Sequence, residues 1–441
     1  MQAGEQEKKD PGPLKGVRVL DLSRALAGPW CTQNLADLGA EVIKIERPGT
    51  GDESRHWGPP WLSDADGNPT GESAYFLSAN RNKRSVAIDI GKAEGQQLVR
   101  RLAEQSDVLV ENFKVGNLAR FGLDWATLSE RNPSLIYCSI TGFGQDGPYA
   151  DRPGYDYLFQ GLGGVMSVTG APDGLEGAGP QRVGLPVVDL FTGMYATVAI
   201  LGALHHRDAT GEGQHIDVSL FDSVMALGAG QISNYFLGGR VPGRIGNSSP
   251  NIAPYQVFPC ADGEMIVACA NQQQFESLCR AIERPQWISD ERFRSNAFRL
   301  AHRGELEALL TEVFRERGQM EWESILSAVG VPCGPINDYA RAVAHPQALH
   351  RGTRIDLPHA LGSSAPGVAS PLRYSATPVE YRAAPPILGQ HTRSVLAESL
   401  GLEESEIGRL ESEAVVECAR ATASSRGTTT ADARLRDADV V

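Results

Sequence analysis

The sequence predicts an α/β protein, with a Rossmann-like parallel-sheet large domain and a smaller α+β domain. Three observations point there. From residue 17 to about 140, short apolar runs alternate with helical stretches. Near residue 250 the pattern changes to a hairpin followed by helices. A chain of 441 residues also exceeds what one hydrophobic core comfortably holds.

Residues 17–22 read as a buried strand, followed by a helix start at Gly28-Pro29, where proline suits the first helical position. Residues 41–46 form a second strand, and 85–90, 107–111 and 135–140 continue the series. In such sheets ligands bind beyond the carboxyl ends of the strands, where helix N-termini point. The segments to inspect are therefore 23–29, 47–57, 112–120 and 141–148. Further on, Asp189 heads an apolar helix, and the glycine-rich turn 210–214 leads into a strand-like stretch at 215–220. Residues 255–260 and 265–270 flank Asp262-Gly263 as a hairpin. Leu306, Leu309, Leu310, Val313 and Phe314 then fall on one helix face. The expected partition is a tail at 1–13, a large domain over 14–225, and a linker at 226–250. A small domain follows at 251–336, then a return linker and C-terminal part of the large domain at 337–418, and a disordered tail at 419–441.

The net charge of −13, from 41 basic and 54 acidic residues, argues against a nucleic-acid partner. The longest nearly uncharged apolar run, 190–204, is about 15 residues, short of a bilayer span, so no membrane partner is expected. Residues 1–13 lack the apolar core of a secretory signal, which points to the cytoplasm. Seven cysteines, an odd number without a CxxC pair, suit neither a disulfide framework nor a zinc site, and no metal is expected.

Gly142-Phe-Gly-Gln-Asp-Gly147 matches the dinucleotide fingerprint in spacing, but Pro148 and Pro153 keep a helix from opening at the motif, which such a site requires. Asp189 has two readings. As a helix cap an Asp is worth about 1 kcal/mol. As a nucleophile it would need its ionised form, which a helix N-terminus favours. Pattern alone leaves both open. Arg47, Lys83, Arg84, Lys92, Lys114 and Arg120 fall near the ligand edge, where together they could hold the phosphates of a nucleotide, with Phe113 offering a ring or an apolar wall.

Several blocks, in order, resemble class III CoA-transferases, the formyl-CoA transferase and carnitine CoA-transferase family. They are Gly16-Val-Arg-Val-Leu-Asp-Leu22 with Ala27-Gly-Pro29, Leu38-Gly-Ala-Glu-Val-Ile-Lys-Ile-Glu-Arg47, Arg81-Asn-Lys-Arg-Ser85 and Glu111-Asn-Phe113. Ser139-Ile-Thr-Gly-Phe-Gly-Gln145, Thr210-Gly-Glu-Gly-Gln214, Gly330-Val-Pro-Cys-Gly-Pro335 and Leu388-Gly-Gln-His-Thr392 complete the set, over about residues 14 to 410. The resemblance implies that Asp189, with Gly193 behind it, is the covalent nucleophile. It implies CoA contacts at Leu26, Arg47, Ile88, Lys92, Asn112, Phe113 and Arg120. It also implies an interlocked homodimer that uses coenzyme A and acyl-CoA as substrates beside a small carboxylic acid, with no permanently bound cofactor.

Two departures narrow the expectation. Leu26 stands where formyl-CoA transferases carry Gln, and their glycine run is missing. Asn247-Ser-Ser-Pro-Asn-Ile-Ala-Pro-Tyr-Gln256, Asn271-Gln-Gln-Gln-Phe275 and Trp57-Gly-Pro59 instead resemble the succinyl-CoA:glutarate CoA-transferase branch, which handles dicarboxylates. For a substrate's distal carboxylate, Arg55 and Arg299 are the candidates. The alternatives are an α-methylacyl-CoA racemase, whose catalytic His is replaced here by Tyr155, and a non-catalytic CoA-thioester binding protein.

Overall fold

The structure, a computed structural model, describes residues 12–362 and 364–419. The expected N-terminal tail as far as residue 11, and the expected C-terminal tail from residue 420, lie outside the described residues. Two compact units emerge. One takes in the described parts of Met1–Gly163, Gly184–Ile232 and Arg351–Val441, and the other Gly164–Val183 and Ser233–His350. The second unit is thus wider than residues 251–336. The added segments carry no clear hydrophobic period, and boundaries drawn from pattern run narrower there.

In the first unit a seven-stranded sheet is ordered Val416–Glu417, Lys83–Ile88, Glu41–Glu46 (β2), Arg18–Asp21 (β1), Val108–Glu111, Ile136–Thr141, Gln214–Ser219. Every neighbouring pair is parallel except Val416–Glu417, which runs antiparallel to Lys83–Ile88. The central strands are buried almost throughout because helices cover both faces. Leu20, Leu109, Val86 and Tyr137 are buried in one core with Leu98, Leu102, Leu396 and Leu410 from the surrounding helices. The strand expected from residue 85 begins at Lys83, whose register partner is Val42.

Helix α1, Ala27–Asp37, starts one residue before the Gly28-Pro29 pair, so Pro29 is its third residue rather than its first. Proline is tolerated there because the N–H groups of a first turn have no acceptor within the helix. In the second unit Tyr255–Cys260 and Gly263–Ala268 form the hairpin, with Cys260 paired to Gly263. The turn is therefore Ala261-Asp262, one residue earlier than expected. Asp262 is held there because its carboxylate accepts the Gln319 N–H at 2.8 Å. Leu306, Leu310, Val313 and Phe314 of the helix Arg303–Phe314 are buried in the core of this unit, and Leu309 packs against it partly buried.

The helix carrying Asp189 runs Val187–Thr210 and closes on Gly211 in the left-handed conformation that favours glycine. Among the described residues it is the one helix long and apolar enough to cross a bilayer. Here it packs on α1 and on the strands Ile136–Thr141 and Gln214–Ser219, burying Val188, Thr192, Ala196 and Ile200. Gly193 makes the crossing with α1 possible. A Cβ there would sit 2.5 Å from Ala27 O and 3.2 Å from Trp30 Cδ1. Gly193→Ala is expected to lower unfolding stability by about 1–2 kcal/mol, once alanine's helix propensity is set against overpacking. A urea midpoint equal to that of the parent would mean the two helices part without cost.

Candidate active site

A cavity of about 610 Å³ opens beyond the carboxyl ends of the parallel strands. Its walls are the loops after the strands. Residues 24–27 follow β1, 47–53 follow β2, 88–91 close the strand Lys83–Ile88, and 112–121 follow Val108–Glu111. The stretch 150–155, with Asp189, completes the lining.

The loop after β1 cannot hold its own shape, since Ala25 is forced to φ 64°, a left-handed conformation costly for a residue with a Cβ. Side chains from other strands fix it. Asn112 accepts the Arg24 N–H and donates to the Arg24 carbonyl, both at 2.8 Å. Asp52 accepts the Ala25 N–H at 3.1 Å. Lys44, fully buried, donates to the Ser23 carbonyl at 2.8 Å and pairs with Asp52 at 2.8 Å. Behind it Asp21 pairs with Lys83 at 3.1 Å, both fully buried. Burial alone would raise the Asp21 carboxyl, but Lys83 and Lys44 outweigh it and hold it below its ordinary value. Burial likewise opposes ionisation of Asp52, yet Lys44 and the Ser54 hydrogen bonds bring it down to about 2.

Asp189 is half-buried in the first turn of its helix. It is not the cap. Asp156, from a separate helix, accepts the N–H groups of Val188 at 2.7 Å and Asp189 at 3.2 Å. Gln160 orients Asp156 through a 2.6 Å bond. The expectation that the helix end keeps Asp189 charged is therefore corrected. Desolvation, then repulsion from Asp156, push its carboxyl up to about 7. Among the described residues no cation pairs with it. Tyr75 stands close enough for the charges of Asp189 and Asp156 to act on it. Burial first, then those charges, raise its phenol to about 12, so it remains an O–H donor, with Trp57 packed edge-on at 5.0 Å.

Of the residues expected at the site, Leu26, Arg47, Ile88, Asn112, Phe113, Arg120 and Asp189 line the cavity together, as does Lys114. The Asn112 side chain, however, is committed to the Arg24 backbone. Lys92 is a correction: it caps the helix Ala93–Glu104 and its Nζ donates to the Glu413 carbonyl at 2.6 Å, away from the lining. Lys83 and Arg84 are also engaged elsewhere, Arg84 with Glu41 and Glu398. Arg55 and Arg299 are corrections of another kind. Arg55 is 4% exposed, bidentate on Glu46, paired with Glu72, bonded to the Pro386 carbonyl and stacked 3.7 Å from the Phe76 ring. Arg299 is 1% exposed inside the second unit, bonded to the Ala253 and Phe293 carbonyls and Gln272. The Arg55 donors are occupied, Arg299 is buried on carbonyls and an amide of its own unit, and neither lines the cavity.

Sequence reasoning missed Lys44, Asp52 and Asp156, each of which acts on a residue in a different segment and carries no local motif for doing so. It also missed Arg24, Glu53, His56 and Arg152 in the lining. Tyr155 lines the cavity and is exposed, and burial with the Glu53 charge raises its phenol, further from any base near neutrality. Among the described residues no three His, Cys, Asp or Glu side chains cluster for a metal. The Cys31 thiol, fully buried, is pushed up to about 12 and is no nucleophile.

Group transfer onto and off a carboxyl is one chemistry that this wall supports. Kinship narrows the choice. The chain belongs to CoA-transferase family III, whose family profile matches residues 14–392, and it is a CoA-transferase. It is 46% identical over 393 residues to a succinate–glutarate CoA-transferase of Agrobacterium fabrum, covering 89% of this chain and 97% of that protein. Human succinyl-CoA:glutarate CoA-transferase is 41% identical over 92% of this chain and 90% of its own. A CaiB/BaiF family protein of known structure from Brucella suis, 45% identical, superposes with a TM-score of 0.77 over 88% of this chain and 100% of that one. Asn112→Ala removes both hydrogen bonds to the Arg24 backbone. It is expected to raise the KM for acyl-CoA about tenfold, by freeing the loop after β1. An unchanged KM would show that the loop holds without the clasp.

Proposed function

We propose that the enzyme carries coenzyme A from succinyl-CoA to a second dicarboxylate, glutarate foremost, with Asp189 as the nucleophile. The names of the similar enzymes support the substrate class. The observation that carries the mechanism is the Asp189 carboxyl itself, half-buried, lining the cavity, without a cation and raised to about 7. Glu46 and Asp52, which share the lining, are locked in ion pairs. A partly desolvated carboxylate is a stronger nucleophile than a solvated one.

An Asp189 oxygen attacks the thioester carbonyl of succinyl-CoA, and the carbon–sulfur bond breaks to give a mixed anhydride and CoA thiolate. The thiolate then attacks the aspartyl carbonyl. Succinate leaves with the bridging oxygen, and Asp189 is left as a CoA thioester. The acceptor carboxylate repeats the sequence in reverse, expelling thiolate and then recovering it on its own carbonyl. No proton is taken up or lost overall, and the energy of the thioester is kept. Backbone N–H groups are suited to the oxyanions. The CoA moiety is placed against Leu26, Arg47, Ile88, Phe113 and Arg120. A racemase would need a base where Tyr155 stands, and a mere binding protein would have no need of an unpaired, desolvated carboxyl.

The reading extends to a homodimer in the cytoplasm without a resident cofactor. Tyr195 and Val198, on the outer face of the Asp189 helix, are exposed in the single chain and support an apolar partner surface.

Asp189→Ala is expected to lose CoA exchange between succinyl-CoA and glutarate by about a thousandfold or more, with CoA binding retained. Exchange within tenfold of the parent would remove Asp189 from the mechanism. Because the ionised form attacks, kcat/KM should rise with pH through about 7. Asp156→Asn removes one of the two causes of the raised value, so the midpoint should move to lower pH. A midpoint that stays or climbs would contradict the assignment.

A further inference from the structure

A dicarboxylate that presents one carboxyl to Asp189 carries a second negative end into a cavity already lined by Glu53. Arg55 and Arg299 are engaged elsewhere, so another group must meet that charge. We propose that Arg24 binds the distal carboxylate of donor and acceptor and so selects dicarboxylic acids. This inference rests on the dicarboxylate reading above.

Four observations carry it. Arg24 lines the same cavity as Asp189 and Tyr155, is exposed, and forms no ion pair among the described residues. Its backbone is clasped at N and O by Asn112, and Asp52 pins the next residue, so its side chain springs from a fixed base. Its guanidinium lies 5.2 Å from the Phe113 ring centroid, a contact that limits its rotamers while leaving the N–H fork unoccupied. Finally, Tyr155 lines the cavity with both, and the charges of Arg24 and Asp189 each act on its phenol. A guanidinium held this way is preorganised for a carboxylate, and little side-chain freedom remains to be lost on binding. Arg120 and Arg152, by comparison, lie over rings in their own segments, Phe121 and Tyr149.

In a ping-pong exchange, kcat/KM for the acceptor reports only the second half-reaction, whatever the donor. The test measures it for glutarate and for pentanoate, which has the same chain length and lacks the second carboxyl. The proteins compared are the parent, Arg24→Gln and Arg24→Lys, each also titrated with free CoA as inhibitor. Arg24→Gln should lower kcat/KM for glutarate about 100-fold. Pentanoate and CoA inhibition should stay within about threefold. Arg24→Lys, which keeps the charge and loses the fork, should fall between, and it serves as the test alone if the Gln variant does not fold. Equal losses for both acids, weaker inhibition by free CoA, or no loss for glutarate would overturn the role of Arg24. A parent enzyme that treats glutarate and pentanoate alike would overturn the dicarboxylate reading itself, and the inference with it.

Discussion

Lys44 Nζ lies 2.8 Å from both the Ser23 carbonyl oxygen and Asp52 Oδ2, with neither charged side chain exposed, and two walls of the cavity hang on that contact. One wall is the loop after β1, bent through a left-handed Ala25; the other is the loop after β2, which Asp52 starts into a short helical turn. Neither has enough apolar surface to order itself. Buried charges are costly unless paired, and stripping one partner from such a pair typically costs about 3–5 kcal/mol. The pairs Asp21–Lys83 and Lys44–Asp52 therefore act as one all-or-none brace under the ligand edge of the sheet.

The brace bears on chemistry through what it leaves free. Its own carboxylates are compensated and held ionised, with Asp52 at about 2. Asp189 has no such cation, and the helix end that would have stabilised its charge is taken by Asp156. A carboxyl that titrates near 7 is poorly placed for stability. Its folded value lies above the unfolded one, so its ionisation opposes folding as pH rises toward 7. Such a cost is expected where a group must attack rather than hold.

Much of the architecture was legible in the chain. The central strands are short runs rich in apolar residues, so their existence and parallel pairing follow from composition and spacing, and boundary errors were one or two residues. The hairpin turn slipped by one because Asp262-Gly263 has the composition of a turn, while the Asp262 carboxylate is tied to Gln319 far along the chain. The ligand edge was legible too, through Leu26, Arg47, Phe113 and Arg120. What sequence could not tell was which arginines are free. Arg55 and Arg299 look like Arg24 in a string of letters, and only packing shows Arg55 held by Glu46 and Glu72 and Arg299 buried against backbone carbonyls. Asp156 was hidden for a related reason, since a cap supplied from 32 residues away has no local pattern.

The most direct test is to trap the intermediate. Incubated with succinyl-CoA and no acceptor, the protein is quenched in acid, digested and read by mass spectrometry. The Asp189 peptide should carry coenzyme A in thioester linkage, with succinate released in matching amount. Coenzyme A or succinyl on any other side chain, or an unmodified Asp189 peptide from protein that turns over, would contradict the covalent role given to Asp189.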